Sequence, residues 1–227
     1  MSGKLIVIEG TDGSGKATQT KILIDRLQRE GHKVISFSFP QYGKPSAKKV
    51  EDYLKGAYGD PTTLDPYVAS DFFAKDRLDL AVTIRKYIDA GYLVVLDRYV
   101  DSNIGHQGGK IADPQERAKF VEWVYQLEYE TNGIPKPDLV IVLRVPAAVA
   151  QQRVSQKEAR QYLAGATHDG HESNLRHLEN AEAAYLWLVQ RYPKNHELIE
   201  CTVDGVQLPP EKIHEKIYEA LKQKGVA

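Results

Sequence analysis

Cysteine is almost absent from the 227-residue sequence, which contains only Cys201 and therefore cannot form an internal disulfide. Long hydrophobic runs are also missing: the longest aliphatic stretches, at 5–8, 93–96 and 139–143, are far shorter than the roughly 18 residues needed to cross a bilayer. Only Met-Ser-Gly-Lys precedes the first stretch, which leaves no room for a signal peptide. We therefore expect a cytoplasmic protein with no membrane partner.

An excess of positive charge is lacking as well. The chain has 30 lysines and arginines against 31 aspartates and glutamates, a formal net charge of −1. Proteins held to nucleic acid through phosphate contacts usually carry a basic excess. We therefore expect no nucleic-acid partner, and we expect any phosphate to be bound at a local site.

Short aliphatic runs separated by longer amphipathic stretches predict the fold. This alternation indicates an α/β fold with a doubly wound, five-stranded parallel sheet covered by helices on both faces. The length fits one domain over 1–227. The predicted strands are 4–9, 33–39, 92–97, 138–143 and 197–203. The predicted helices run from the Gly13 to Gly15 turn to Gly31 and over 45–55, 66–90, 114–130, 146–160, 172–191 and 209–224.

A polar, glycine-containing segment near 155–170 has little apolar periodicity and is predicted to be a small lid insertion.

The first predicted strand is followed by a phosphate-binding loop. Gly10-Thr11-Asp12-Gly13-Ser14-Gly15-Lys16 matches the GxxxxGK pattern between a strand and a helix. Glycines let successive backbone N–H groups face one anion, the helix N-terminus adds partial positive charge, and Lys16 adds a full charge. A turn that only connects strand and helix is the alternative. The context favours a nucleoside triphosphate site formed by Gly10 to Thr18.

One position departs from this pattern, because Ala17 stands where a serine or threonine hydroxyl usually binds Mg²⁺. Thr18 follows, but successive helical residues point about 100° apart, so it is not a simple substitute. Mg²⁺ needs few protein ligands. We therefore still expect it, with Asp97 or water in place of the missing hydroxyl.

A second cluster of polar residues follows the third predicted strand: Asp97-Arg98-Tyr99, Ser102-Asn103 and Gln107-Gly108. Ligands of open α/β sheets bind at this carboxyl edge. An aspartate there can orient Mg²⁺ or water, and an arginine can bridge phosphates. A structural salt bridge is the alternative, but beside a phosphate loop the pair favours phosphoryl transfer.

Four landmarks in order resemble the thymidylate kinase family of P-loop nucleoside monophosphate kinases. They are the phosphate loop, Phe-Pro-Gln-Tyr-Gly at 39–43, Phe-Ala-Lys-Asp-Arg at 73–77 and Asp-Arg-Tyr with Ser-Asn at 97–103. The resemblance covers most of the chain. It implies ATP-dependent phosphorylation of dTMP to dTDP with Mg²⁺, in a homodimer.

The resemblance also implies roles for individual residues. Asp12 would lie near the acceptor's sugar and phosphate, Arg98 would clamp that phosphate, and Arg77 would donate to an exocyclic oxygen of the pyrimidine. One of the neighbouring Phe72 and Phe73 should belong to the core, and the spacing to Arg77 favours Phe73 as the platform for thymine. The remaining implied substrate contacts are Phe39, Tyr42, Asn103, His106, Gln107, His171 and Glu172.

Two departures from the family pattern concern the acceptor site and the lid. His106 stands where the family often has tyrosine, which leaves sugar discrimination open. The loop lacks the arginine that some members carry, so Arg153, Lys157 or Arg160 at the lid would stabilise the transferring phosphoryl group. The predicted catalytic groups are Asp12, Lys16, Asp97, Arg98, Lys157 and Arg160, with Arg153 at the nucleotide. The predicted metal ligands are Asp12, Asp97 and Glu172.

Other interpretations stay open. The acceptor could be a nucleoside or another pyrimidine nucleotide, and Ala17 could mark a nucleotide-binding protein that no longer catalyses. His168, His171 and His177 do not form a complete zinc ligand set. A P-loop module of nucleic-acid processing would need a basic track that the chain lacks.

Overall fold

The computed structural model of the protein describes residues 3–163 and 175–226, without the side chains of 157–163. Five parallel strands form one sheet in the order β2, β3, β1, β4, β5, which confirms the predicted doubly wound architecture. The strands are β1 (Lys4–Gly10), β2 (Val34–Ser38), β3 (Leu93–Asp97), β4 (Leu139–Arg144) and β5 (His196–Glu200).

The central strand β1 shows why an inner strand of this sheet contains an unbroken apolar run. Successive side chains of a strand point to opposite faces. Ile6 and Ile8 accordingly pack into one hydrophobic core, whereas Leu5 and Val7 pack into a second core on the other face. Because both faces are buried, polar alternation is absent.

Eight α-helices are present in the described part of the chain: α1 (Lys16–Arg29), α2 (Lys48–Leu54), α3 (Pro66–Asp89), α4 (Asp101–His106), α5 (Pro114–Tyr125), α6 (Ala147–Leu163), α7 (Leu175–Arg191) and α8 (Pro210–Gln223). Residues of α1, α8 and the start of α6 pack on the face of Ile6, and residues of α3, α4, α5 and α7 pack on the face of Leu5. None of the described helices is long and apolar enough to span a membrane.

Two of the helices begin with the same local signal, an aspartate followed by proline. The Asp65 carboxylate accepts hydrogen bonds from the backbone N–H groups two and three residues later, at 2.8 and 3.1 Å. Asp113 does the same at 2.9 and 2.8 Å. Pro66 and Pro114 occupy the first helical position, where no N–H is needed.

Several boundaries differ from the prediction. Helix α4 was not expected, because six residues are too short to show helical periodicity. The predicted strand 197–203 divides into β5 and one strand of a hairpin, β6 (Thr202–Val203) with β7 (Val206–Gln207). A π-helical turn, Gln126–Thr131, follows α5. Helix α6 continues through Leu163, so the first half of the predicted lid is helical, and 164–174 lies outside the described residues.

Candidate active site

A cleft of about 580 Å³ opens at the carboxyl edge of the sheet, where β1 and β3 end. Most predicted site residues of the described part of the chain line it, and Gly10, Thr11 and Ser14 lie buried in the loop beneath. The lining residues predicted from sequence are Asp12, Gly13, Gly15, Lys16, Ala17, Thr18, Phe39, Tyr42, Phe73, Arg77, Asp97, Arg98, Asn103, His106, Gln107 and Arg153.

Two glycines explain how the phosphate loop fits between its neighbours. Gly10 has φ 139°, and a Cβ there would lie 2.5 Å from the Leu143 carbonyl oxygen at the end of β4. Gly13 has φ 80°, and a Cβ would lie 2.5 Å from the Ala150 carbonyl oxygen in α6. The loop backbone therefore packs directly against two other backbone segments, which only glycine permits.

Lys16 is the buried cation of the loop. Its Nζ donates to the carbonyl oxygens of Gly10 at 2.9 Å and Thr11 at 2.8 Å. Burial, with repulsion from Arg98, lowers the pKa of Lys16 to about 8. The ammonium group is therefore still mostly charged at neutral pH, and a bound phosphate would stabilise its charged form against the effect of burial.

Arg98 and Asp12 face each other across the cleft. Arg98 follows β3 with φ 67°, a left-handed conformation that is uncommon for a residue other than glycine, and its N–H donates to the Ile8 carbonyl oxygen at 3.0 Å. Its Nη2 donates to the Asp12 carboxylate. Burial alone would raise the pKa of Asp12, but Arg98 and Lys16 outweigh it and hold that pKa well below its usual range. Both groups are therefore charged at neutral pH.

Arg77 is fixed by a buried carboxylate that the sequence did not reveal. Its Nε donates to Glu128 Oε1 at 2.8 Å, and its Nη1 donates to the Tyr99 carbonyl oxygen at 3.1 Å. The two side chains are 1% and 0% exposed. A guanidinium has five N–H groups, so donors remain that can serve the cleft that Arg77 lines.

The two neighbouring phenylalanines of α3 have different surroundings. Phe72 belongs to a small core with Val50, Tyr53 and Ala69, whereas Phe73 lines the cleft and meets the Tyr53 ring edge-on at a centroid distance of 5.9 Å. The geometry therefore places Phe73 where a base could stack and Phe72 in the interior.

Comparison with known proteins decides the family. The sequence profile described as thymidylate kinase matches residues 8–217. The thymidylate kinase of Mycobacterium tuberculosis strain H37Rv is 31% identical over 80% of this chain and 83% of its own length. That of Schizosaccharomyces pombe is 35% identical over 70% and 69%.

The chain belongs to the thymidylate kinase family. The resemblance read from its motifs is thereby confirmed. A solved thymidylate kinase from Candida albicans shares the fold, with a TM-score of 0.71 at 20% identity, over 99% of this chain and 93% of that one.

Like Glu128, Glu9 is a buried carboxylate of this thymidylate kinase family member to which no sequence motif pointed. Its carboxylate accepts from the N–H groups of Tyr99 at 2.7 Å and Ser102 at 3.1 Å. It also accepts from the hydroxyls of Ser102 at 2.7 Å and Tyr185 at 2.9 Å. Burial, with the nearby Asp101, raises the pKa of Glu9. These bonds hold the segment around Arg98 against β1. The sequence offered one sign of this role, a single glutamate at the end of an aliphatic strand, because a glutamate is seldom buried without partners.

The remaining predicted acceptor residues are tied to the kinase scaffold. Asn103 Nδ2 donates to the Ser70 carbonyl oxygen at 3.2 Å, and the Gln107 amide lies 3.3 Å from the Tyr53 hydroxyl. The Asp76 carboxylate accepts from the Gln41 N–H at 2.8 Å. This last bond connects the Phe-Pro-Gln-Tyr-Gly segment with α3, so two landmarks that are distant in sequence form one wall of the cleft.

The lid and metal predictions are only partly within the described residues. Arg153 lines the cleft, and its guanidinium nitrogens lie 3.8 Å from the position of a Cβ at Gly15. The side chains of Lys157 and Arg160, together with His171 and Glu172, lie outside the described residues. Where the structure describes side chains, no group of three or more acidic, histidine or cysteine residues is arranged to hold a metal ion.

Proposed function

We propose that this chain is a thymidylate kinase that transfers the γ-phosphoryl group of ATP to dTMP, giving dTDP and ADP. One observation carries the proposal: the phosphate loop and the Arg98 and Asp12 pair face the same cleft from the ends of two neighbouring strands. A triphosphate on the loop and a monophosphate at Arg98 would thus meet in one volume. Positioning of the two reactants and electrostatic stabilisation together supply the catalysis of phosphoryl transfer.

The triphosphate side is formed by the loop, Lys16 and Arg153. Lys16 lines the cleft and would contact the outer phosphates, and Arg153 faces the loop at Gly15 from α6. The Arg153 Nη1 is buried and has no hydrogen-bond partner among the described residues. A buried donor without a partner is unfavourable. A phosphate oxygen would provide the missing acceptor and would neutralise the charge.

The monophosphate side combines a charge clamp with directed base contacts. Arg98 binds the acceptor phosphate in exchange for part of its contact with Asp12. Phe73 offers an aromatic face that any base can use, whereas Arg77 offers a donor whose direction is fixed by Glu128. Directed donors discriminate between bases because a mismatched partner leaves a buried group unpaired. This arrangement favours a pyrimidine with an exocyclic oxygen over one with an amino group.

The residues present fit Mg²⁺ bound largely through water and phosphate. Ala17 has no oxygen to offer, Glu9 already accepts four hydrogen bonds, and Asp12 is paired with Arg98. Asp97 lines the cleft and lies close enough to Lys16 for its charge to oppose part of the lowering of the Lys16 pKa by burial. One carboxylate is a sufficient protein ligand for Mg²⁺. The ion would neutralise charge on the phosphates.

A coupled ADP assay with dTMP, dUMP, CMP and AMP as acceptors tests the function. We expect Mg²⁺-dependent ADP formation that is much faster with dTMP than with the other nucleotides. Preferential turnover of another acceptor would contradict the assignment. Tight ATP binding without ADP formation from any acceptor would favour a non-catalytic nucleotide-binding protein instead, the alternative that Ala17 suggests.

A homodimer is part of the proposal, with support from helix α3. Val68, Leu78 and Val82 of this helix are 47, 41 and 59% exposed, although they are apolar. Exposed apolar groups on one element are typical of an interface. Sedimentation analysis of the wild type and of Val82→Glu tests this, since the charge should shift the protein to monomers if α3 forms the interface. The cytoplasmic location stays a prediction.

A further inference from the structure

Two separate elements hold the guanidinium of Arg98. Its Nη2 donates to the Asp12 carboxylate in the phosphate loop. Its Nη1 lies 2.8 Å from His106 Nε2 at the end of α4, and a weaker contact of 3.5 Å joins Nη1 to the Ser102 hydroxyl. The side chain of Arg98 is 18% exposed. His106 therefore helps to determine where the guanidinium points inside the cleft.

The hydrogen bond to Arg98 fixes the tautomer of His106. A guanidinium can only donate, so the Nε2 of His106 must accept and must carry no proton. In the neutral ring the proton then lies on Nδ1, which is 3.1 Å from the Nε2 of His177. His177 Nε2 must accept in turn, and its own proton lies on Nδ1. The contacts thus form one chain of donors from Arg98 through His106 to His177, which we call the histidine relay.

The ring geometry agrees with a hydrogen bond between the two histidines. Their centroids are 5.3 Å apart, and their planes differ by only 20°. With the two nitrogens at 3.1 Å, the rings meet through their edges in nearly one plane. Tyr185 packs edge-on against the ring of His106 at a centroid distance of 6.3 Å. His177 lies in the first turn of α7, so the relay connects that helix with Arg98.

The charged groups around the relay favour its neutral form. Arg98, Lys16 and Asp12 face His106, and Asp12, Lys110 and Arg98 face His177. Burial lowers the pKa of both histidines, and Arg98 lowers that of His106 further. A second proton on His106 would place an N–H group opposite the N–H of Arg98. The contact would then change from attractive to repulsive.

We propose that His106 and His177 are positioning residues that hold Arg98 where the acceptor phosphate binds, and that a proton on His106 releases Arg98 and weakens acceptor binding. The inference rests on the proposed function, in which Arg98 binds the phosphate of dTMP.

Steady-state kinetics of four proteins test the relay: wild type, His106→Leu, His106→Gln and His32→Gln. Leucine removes the acceptor that Arg98 uses. Glutamine keeps an acceptor oxygen but does not titrate. His32 follows α1 and is absent from the cleft lining, which makes its glutamine variant the control for losing a titratable histidine. The KM for dTMP and for ATP is measured from about pH 8 down to the lowest pH at which all four proteins stay folded, because burial and Arg98 lower the pKa of His106 below the ordinary histidine value of about 6.5.

His106→Leu should raise the KM for dTMP roughly 10-fold to 100-fold at the upper pH, the loss typical of a hydrogen bond to a charged group. The KM for ATP should change less than about twofold by comparison, because Lys16 and the loop bind ATP. In the wild type and in His32→Gln, the KM for dTMP should rise towards low pH more steeply than in His106→Gln. The phosphate of dTMP titrates equally in all proteins, so the difference isolates His106.

Parallel pH profiles of wild type and His106→Gln would overturn the proposal, and so would an equal rise of both KM values in His106→Leu. Long-range proton–nitrogen spectra of the free protein test the tautomers without turnover. Both relay histidines should carry their proton on Nδ1, and a proton on His106 Nε2 would refute the relay. Failure of the wild type to phosphorylate dTMP would contradict the proposed function instead, while the spectra would still decide the relay.

Discussion

Replacing Glu128 with glutamine removes the charge that Arg77 faces in the protein interior. Arg77 is 1% exposed and Glu128 is 0% exposed, with Nε and Oε1 2.8 Å apart. Glutamine preserves the size of the side chain but leaves a buried arginine without its counter-charge. Removing one partner of such a pair costs about 3–5 kcal/mol, because the remaining charge is uncompensated. For a chain of 227 residues this lowers Tm by roughly 6–20 °C.

Glu130→Gln is the matched control, because it makes the same change in the same π-helical turn. Glu130 pairs with Lys136 at 2.8 Å, and these side chains are 67% and 63% exposed. Surface pairs of this kind contribute about 0–1 kcal/mol. Urea unfolding at constant pH measures both variants. A loss of stability in Glu128→Gln no larger than in Glu130→Gln would refute the argument that burial makes this carboxylate essential to Arg77.

Three further perturbations have definite expected outcomes. Gly13→Ala should destabilise the protein by about 1–3 kcal/mol more than Gly43→Ala in urea unfolding and should raise the KM for ATP, because both glycines have φ 80° but only Gly13 would bring a Cβ against a backbone carbonyl. His196 is buried, which opposes its charge, yet Asp101 at 2.7 Å raises its pKa. That pair stabilises the fold below the ordinary histidine pKa of about 6.5 and loses its effect as pH rises through the raised value. Urea unfolding should therefore show a larger decrease in stability between about pH 6 and pH 8 in the wild type than in His196→Gln; equal decreases would exclude this pair as the cause. Ala17→Ser should lower the Mg²⁺ concentration needed for half-maximal ADP formation, and an unchanged value would show that another group already fills the position.

The sheet and the phosphate loop could be predicted because their signals are local. The first four predicted strands agree with the structure to within one residue at each end. Three of them contain an unbroken aliphatic run that the core buries, the edge strand β2 alternates apolar residues with serines, and the loop motif lies within the consecutive residues Gly10 to Lys16. The glycines needed for its backbone conformation are themselves the sequence pattern.

The groups that support the site could not be predicted, because their partners lie far away in sequence. Arg77 and Glu128 are 51 residues apart, and His106 and His177 are 71 residues apart. The resemblance implied Arg77 and His106 as substrate contacts, but their partners Glu128 and His177 are, in the sequence, single polar residues that could equally well face solvent. Glu9 likewise gains its role only from residues that the fold brings to the end of β1. Only the tertiary structure shows that these residues serve the cleft.

The two arginines of the proposed acceptor site differ in burial and in partners, in a way that matches the separate tasks proposed for them. Arg77 is almost completely buried and pairs with a carboxylate of its own, so its remaining N–H groups point in fixed directions. Donors with fixed directions suit the recognition of a base, because they distinguish an exocyclic oxygen from an amino group. Arg98 is 18% exposed and divides its donors between His106, which positions it, and Asp12, whose contact can be exchanged in part for phosphate oxygens. A clamp that exchanges one partner in this way can bind and release a charged group in every cycle without leaving an arginine unpaired. We therefore expect changes at Arg77 to alter acceptor selectivity and changes at Arg98 to weaken every monophosphate, and a substrate panel on Arg77→Lys and Arg98→Lys distinguishes the two outcomes.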